Sequence, residues 1–185
     1  MTMVSTYEKT IRLRDCTEVF LRPLLPTDSE QLWQLFAALS RDSLKYLGGG
    51  FTRERIERWT STLDYERTLP IIAVVEEHGA PRIVVSAALS FHPEWPAFRH
   101  KAVFSITVHD DYQNRGLGTA LTRYMIDIAR QKQLHKVSLK VRVDNARAIH
   151  VYERCGFTIE ATLKDEHLVD GIYYHDYMMS IFFDP

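Results

Sequence analysis

Along the 185-residue chain, apolar positions shift repeatedly between the two-residue spacing of strands and the three-and-four spacing of helices. The first forty residues read as an extended hairpin, Tyr7 to Arg14 and Glu18 to Leu24, turning at Asp15-Cys16. A helix follows near Thr27-Asp28-Ser29, with Asp28 or Thr27 as its N-cap. Leu32, Leu35, Phe36 and Leu39 form its buried stripe, and Trp33 flanks it. The spacing of Ile56, Trp59 and Leu63 predicts a second helix from Thr52 to about Leu63, joined to the first through Gly48-Gly49-Gly50.

From Leu69 the pattern becomes β-branched. Ile71 to Glu76 and Arg82 to Phe91 pair around His78-Gly79-Ala80-Pro81, and a third run covers Phe98 to Val108. Leu117, Leu121, Tyr124, Met125 and Ile128 then mark one face of a helix ending near Gln133. The remainder reads as a strand (Lys136 to Val143), a helix (Asn145 to Glu153) stopped at Cys155-Gly156, a strand (Phe157 to Leu163), an acidic loop and a last strand, Ile172 to Phe182. This order is that of a mixed α/β domain whose sheet is parallel in part and covered by helices. No repeat or low-complexity stretch divides it, so residues 1–185 are expected to form one domain.

Composition adds exclusions. With 45% hydrophobic and 25% charged residues, the bulk of the chain is not a disordered one. A net charge of −1 supplies no global field for nucleic acid or an anionic membrane, and no apolar run approaches the roughly 20 residues that cross a bilayer. Cys16 and Cys155 match no zinc or redox spacing and are expected to be free thiols. None of the eight histidines falls in a His-x-x-x-His or His-Glu-x-x-His pattern, so no metal is expected. These features together suggest a soluble, cytoplasmic protein.

Chemistry concentrates where the strand ending Ile106-Thr107-Val108 runs through His109-Asp110-Asp111-Tyr112 to Gln113-Asn114-Arg115-Gly116-Leu117-Gly118-Thr119 at the start of a helix. The first N–H groups of a helix lack intrahelical partners and sit at the positive end of its dipole, so the segment is built to receive an anion such as a phosphate. A Walker A loop would need Lys-Ser/Thr after its glycines, and Gly118 is followed by Thr119-Ala120. A dinucleotide fingerprint would need a third glycine where Leu121 stands and an acidic residue near Ser138. Farther on, Asn145 and Tyr152 are seven residues apart, about 700° of helix rotation, and so share a face with the small Ala148 between them.

Gln113 to Gly118 resembles the Q/R-x-x-G-x-G/A pyrophosphate loop of the GNAT superfamily of N-acetyltransferases. Asn145 to Phe157 resembles the N-x-x-A-x-x-x-Y-x-x-x-G-F helix of the same superfamily. The resemblance extends over roughly Ile71 to Phe182. It implies a strongly twisted mixed sheet of about seven strands with a splayed central pair, about four flanking helices and an N-terminal hairpin. It also implies acetyl-CoA as co-substrate, with the pantetheine arm between the splayed strands.

On that resemblance, the backbone of Ile106, Thr107 and Val108 would bind the pantetheine and thioester, with the Val108 amide as oxyanion donor. The amides of Asn114, Arg115, Gly116, Leu117, Gly118 and Thr119 would hold the pyrophosphate, alongside Gln113. Asn145 and Ala148 would line the cofactor arm, and Tyr152 would protonate the departing thiolate. The acceptor would be a primary amine: a small amine, amino acid, polyamine or protein N-terminus. Many members carry a glutamate base early in the fourth core strand, where this chain has Lys101-Ala102-Val103-Phe104. The base is therefore sought in a water chain, a carbonyl-lined exit, His92, Glu94, His100 or His175, the last and Glu94 lying in segments that border the acceptor cleft of the fold.

Plainer roles stand beside these. Tyr152 is also a fitting core aromatic, Asn145 a fitting N-cap and Arg115 a fitting solvated loop charge. Cys155, at a helix C-terminus, reads as structural. Gly48 to Gly50 reads as a connector or as a hinge beside the acceptor cleft. Asp165, Glu166, Asp170 and Asp176 suit a cationic acceptor or a solvated loop alike. The missing strand carboxylate raises a non-catalytic acyl-CoA sensor as the alternative, and an exposed last strand suggests a homodimer paired edge to edge.

Overall fold

The computed structural model describes residues 6–48 and 50–183. The N-terminal hairpin forms as expected, β1 (Lys9–Arg12) against β2 (Glu18–Pro23). Cys16 takes a left-handed φ of 66° in its turn, and the Asp15 carboxylate accepts the Thr17 N–H at 3.0 Å. Helix α1 (Ser29–Ala37) buries Leu32, Leu35 and Phe36, and Leu39 beyond its end is buried too. Asp28 stands at the N-cap position without capping through its side chain. Its carboxylate turns back to the Leu25 N–H (2.7 Å) and both terminal nitrogens of Arg22 (2.6 and 2.8 Å), because the half-buried guanidinium of β2 needs a countercharge more than the helix needs a cap.

A short helix that the periodicity does not signal, α2 (Arg41–Leu44), is capped by the Ser40 hydroxyl, which accepts the Ser43 N–H. Helix α3 (Arg53–Ser61) is capped by Thr52 as expected. Gly48 and Gly50, in the connection between them, have φ of 68° and 79°, a left-handed backbone that a side chain resists. Gly49, the middle of that expected hinge, lies outside the described residues.

Strands β3 (Thr68–Glu77), β4 (Ala80–Ser90) and β5 (Lys101–Val108) follow, then α4 (Leu117–Gln131), β6 (Lys136–Arg142), α5 (Ala146–Arg154), β7 (Thr158–Val169) and β8 (Ile172–Phe182). They form one eight-stranded sheet in the order β1-β2-β3-β4-β5-β6-β8-β7, with the hairpin continuous with it. Among the described residues only β5 and β6 pair in parallel, as the α4 crossover between them requires. The acidic loop expected between residues 164 and 171 is instead the far half of a hairpin, whose β7 runs on to Val169. The last strand is consequently internal: β8 pairs with β6 on one side and β7 on the other, and the edge open to a second copy at that end is β7.

Helices cover both faces. Leu117, Leu121, Met125 and Ile128 of α4 and Tyr152 of α5 join strand residues such as Leu89, Phe104, Leu139 and Met179 in the larger core. Leu32, Leu35 and Phe36 of α1 and Ile56 of α3 pack on Ile72, Val74 and Ile83 in a second core on the other face. Each fully buried leucine contributes about 1.5–3 kcal/mol, so the two cores clamp the middle of the sheet from both sides. No helix among the described residues is long and apolar enough to cross a membrane.

Candidate active site

The cleft begins where the central strands part. β5 meets β6 only at Lys101↔Lys136, Ala102↔Val137 and Val103↔Ser138, whereas its pairing with β4 continues to Val85↔Val108. From Phe104 onward β5 therefore presents one edge to empty space, and backbone groups on that edge are left for a ligand to satisfy. A cleft of about 1200 Å³ runs through this gap and is lined by Ile106, Thr107 and Val108.

At the end of β5 the chain makes a 3-10 turn (Asp110–Tyr112) and enters the loop. Asn114 (φ 60°) and Gly116 (φ 84°) are left-handed, a conformation that turns successive amides toward a common point. A Cβ on Gly116 would meet nothing within 4 Å, so the backbone turn rather than crowding selects glycine there. The first intrahelical bond near this end of α4 runs from the Ala120 N–H to the Gly116 carbonyl, which leaves the amides before Ala120 directed out of the helix end. Gln113, Asn114, Arg115, Gly116, Gly118 and Thr119 all line the cleft. Leu117 does not: its side chain is fully buried under α4, and only its backbone amide remains available to the loop.

Side chains hold the loop in this shape. Gln113 Nε2 donates to the Val108 carbonyl (3.0 Å), the Asp110 carboxylate (2.9 Å) and Ser43 Oγ (3.1 Å), and Gln113 Oε1 accepts from Arg147 of α5. Asp110 also accepts from the Ser40 N–H at 2.7 Å and from the Ser43 hydroxyl. Although burial pushes the Asp110 carboxyl upward, the bonds from Ser43 and Ser40 hold it below its ordinary value, so it stays an anchor for α2. Arg115 binds Asp15 (Nε to Oδ2, 2.7 Å) and Thr17 Oγ1 (2.9 Å) and stacks on Tyr112. Bonds from Thr17 and then Arg115 bring the Asp15 carboxyl down to about 2. The guanidinium is thus tied to the β1–β2 turn.

Asn145 is the N-cap of α5, its Oδ1 accepting the Ala148 N–H at 3.2 Å, and both residues face the cleft. Tyr152, 8% exposed, lies edge-on to Phe104 (6.3 Å) and Phe157 (5.9 Å). Burial, and then Cys155, push its phenol up to about 12, so it carries its proton at any physiological pH. Among the described residues its hydroxyl has no hydrogen-bond partner, and the ring lines the cleft. Cys155 is half-buried, its thiol also pushed up by burial, which fits the structural reading. Arg123 of α4 and Arg147 and Arg154 of α5 add positive charge around the loop. Sequence reasoning missed these three; Arg123, one turn after Thr119, and Arg147, within the Asn145 to Tyr152 motif, were the available signals.

Beyond the gap the cleft continues on the α1–α3 face of the sheet. Thr68, Ser86, Ala88 and Ser90 make a floor of small residues, and Tyr46, Phe51 and Trp59 join Phe36 as a wall, with Phe36 and Phe51 stacked at 4.2 Å. The opposite wall is Lys140, Arg142, Glu166, His167 and Asp176. The expected base candidates are elsewhere. His92, Glu94, His100 and His175 are exposed and none lines the cleft; Glu94 pairs with Arg67, and His175 accepts the Asp165 N–H. In β8 it is Asp176, one residue on, that turns inward, since neighbouring strand residues face opposite ways.

Comparison with known proteins agrees with the fold. The model of the Acetyltransferase (GNAT) family matches residues 32–157. The chain is 27% identical over 154 residues to spermidine N(1)-acetyltransferase of Escherichia coli K12, covering 78% of this chain and 83% of the relative. It is 41% identical over 86 residues to the L-amino acid N-acetyltransferase AaaT of the same organism, covering 46% of this chain and 53%, about half, of that relative. The solved structure of spermidine N-acetyltransferase from Vibrio cholerae in complex with CoA and spermine superposes with a TM-score of 0.74 at 23% identity, covering 89% of this chain and 95% of the other.

Proposed function

This chain belongs to the acetyltransferase (GNAT) family, and we propose that it transfers an acetyl group from acetyl-CoA directly to a primary amine while both are bound. One observation carries the reading: β5 and β6 pair for three residues and then open onto a left-handed loop at the N-terminus of α4. The residues present fit the co-substrate. Amides of Asn114 to Thr119 receive the pyrophosphate, the open edge of Ile106 to Val108 receives the amide-bearing arm, and Asn145 and Ala148 bound that arm on the other side. When bound, acetyl-CoA supplies an activated thioester. Tyr152 lines the cleft with its phenol protonated at neutral pH, so a proton is at hand for the departing sulfur.

The amine enters from the α1–α3 face, over the small-residue floor and against the aromatic wall. Relatives named for spermidine and for L-amino acids support an amine acceptor of that size, and the V. cholerae structure described with CoA and spermine supports the cofactor. Release of free thiol from acetyl-CoA, followed with spermidine, an L-amino acid and a peptide bearing a free N-terminal alanine, tests the proposal. Release that depends on one of these amines supports it; binding of acetyl-CoA without amine-dependent release would leave the sensor reading instead.

A further inference from the structure

We propose that His167, oriented by Asp176, is the base that takes the proton from the acceptor ammonium; this rests on the acetyltransferase reading above. Asp176 is 2% exposed and lines the cleft. One carboxylate oxygen meets His167 Nε2 at 3.0 Å, and the other, Oδ1, is buried with no hydrogen-bond partner among the described residues. A buried carboxylate is costly, and one left half-satisfied needs a reason. Fixing an imidazole that must accept charge is such a reason, since proton uptake by the ring turns the contact into an ion pair.

The backbone places this pair at the reaction level. Continuing the β5–β6 register past Val103↔Ser138 sets Thr107 level with Arg142, and Arg142 is the cross-strand neighbour of Asp176. The pair therefore faces, across the gap, the segment that holds the thioester. A bulge brings the histidine there: Leu163 opposes Asp176 and His167 opposes Tyr174, so the residues between leave the ladder, with Asp165 left-handed at φ 53°. Surrounding charges are satisfied elsewhere. Glu166 is bound to Lys140 (2.5 Å), and Arg142 is bound to Asp144 and the Lys45 carbonyl and stacks on Tyr174 and Tyr46. His167 Nδ1 has no partner among the described residues, and the side chain is 34% exposed, giving the proton a way out.

In the proposed sequence His167 holds its own proton on Nε2, toward Asp176, and Nδ1 takes one from the ammonium, directly or through a water. The freed lone pair attacks the thioester carbon and the C–S bond breaks. Tyr152 gives its proton to sulfur, and the second proton lost by nitrogen restores the phenol. The products are the amide, free CoA thiol and the proton that His167 returns to solvent.

The test uses the amine that the wild-type protein turns over. At pH 7 an alkylamine near pKa ~10.4 is almost wholly protonated, so His167→Gln is expected to lower kcat about 100-fold there, with KM for acetyl-CoA unchanged and a deficit that shrinks as pH rises. Asp176→Asn, which offers an N–H to Nε2 and forces the proton onto Nδ1, is expected to show a similar pH-dependent loss although His167 is present. Wild-type kcat and pH profile in His167→Gln, or a loss that is the same at every pH, would overturn the assignment while leaving the acetyltransferase reading intact. A wild-type protein with no amine-dependent thiol release overturns both.

Discussion

At the scale of residues, the account turns on what each side chain can do with a proton. Tyr152 is buried and its phenol is pushed to about 12, so the acid proposed for the departing sulfur stays protonated. Tyr152→Phe should bind acetyl-CoA as the wild type does yet lose kcat about 100-fold, and the loss should deepen at alkaline pH, where the thiolate must otherwise leave unprotonated; stopped-flow or thiol-release assays from pH 7 to 9.5 would show it. The same shift links to stability. Because the folded protein keeps the Tyr152 proton more tightly than the unfolded chain does, its contribution is full below about pH 10 and is lost as pH rises toward 12. Alkaline melting curves should therefore fall less steeply for the phenylalanine variant over that range. The motif around Tyr152 was legible in the sequence because its spacing is local. The acidic character around Asp176 was legible too, but its pairing with His167 was not, because which of His175 and Asp176 faces inward depends on register set by β6 and β7, and the approach of His167 depends on a bulge.

At the scale of elements, the loop before α4 is the piece most exposed to substitution. Gly116→Asp should abolish acetyl-CoA binding in a calorimetric titration, since it sets a negative charge where the pyrophosphate must approach. Gly116→Ala meets open space and should instead cost about 1–2 kcal/mol of stability in urea unfolding, through the left-handed backbone alone. Asp28→Ala, which strands the Arg22 guanidinium between β2 and α1, should cost about 3 kcal/mol by the same measurement. Elements with strong periodicity, such as α1, α3, α4 and the β3–β4 hairpin, were readable with their faces. Helix α2 was not, since one turn carries no period and its place is fixed by Asp110 accepting from Ser40 and Ser43. The outer half of β7 read as a loop because it is charged and exposed, a pattern that a two-stranded ribbon with few buried positions shares with a turn.

At the scale of the whole molecule, the sheet is both scaffold and site. Two cores hold its middle, and the α4 crossover forces one parallel pair, β5 and β6, that is joined at one end and open at the other. The loop before α4, the proposed pyrophosphate site, and the aromatic and mixed-charge walls all border that opening, so under the proposal donor and acceptor would meet through the sheet rather than on its surface. That arrangement is tested most directly by calorimetric titration of the purified protein with acetyl-CoA, CoA and NAD side by side. Micromolar binding of both CoA species, with no heat from NAD, is the predicted result. Absence of binding by either CoA species would contradict the account at its base.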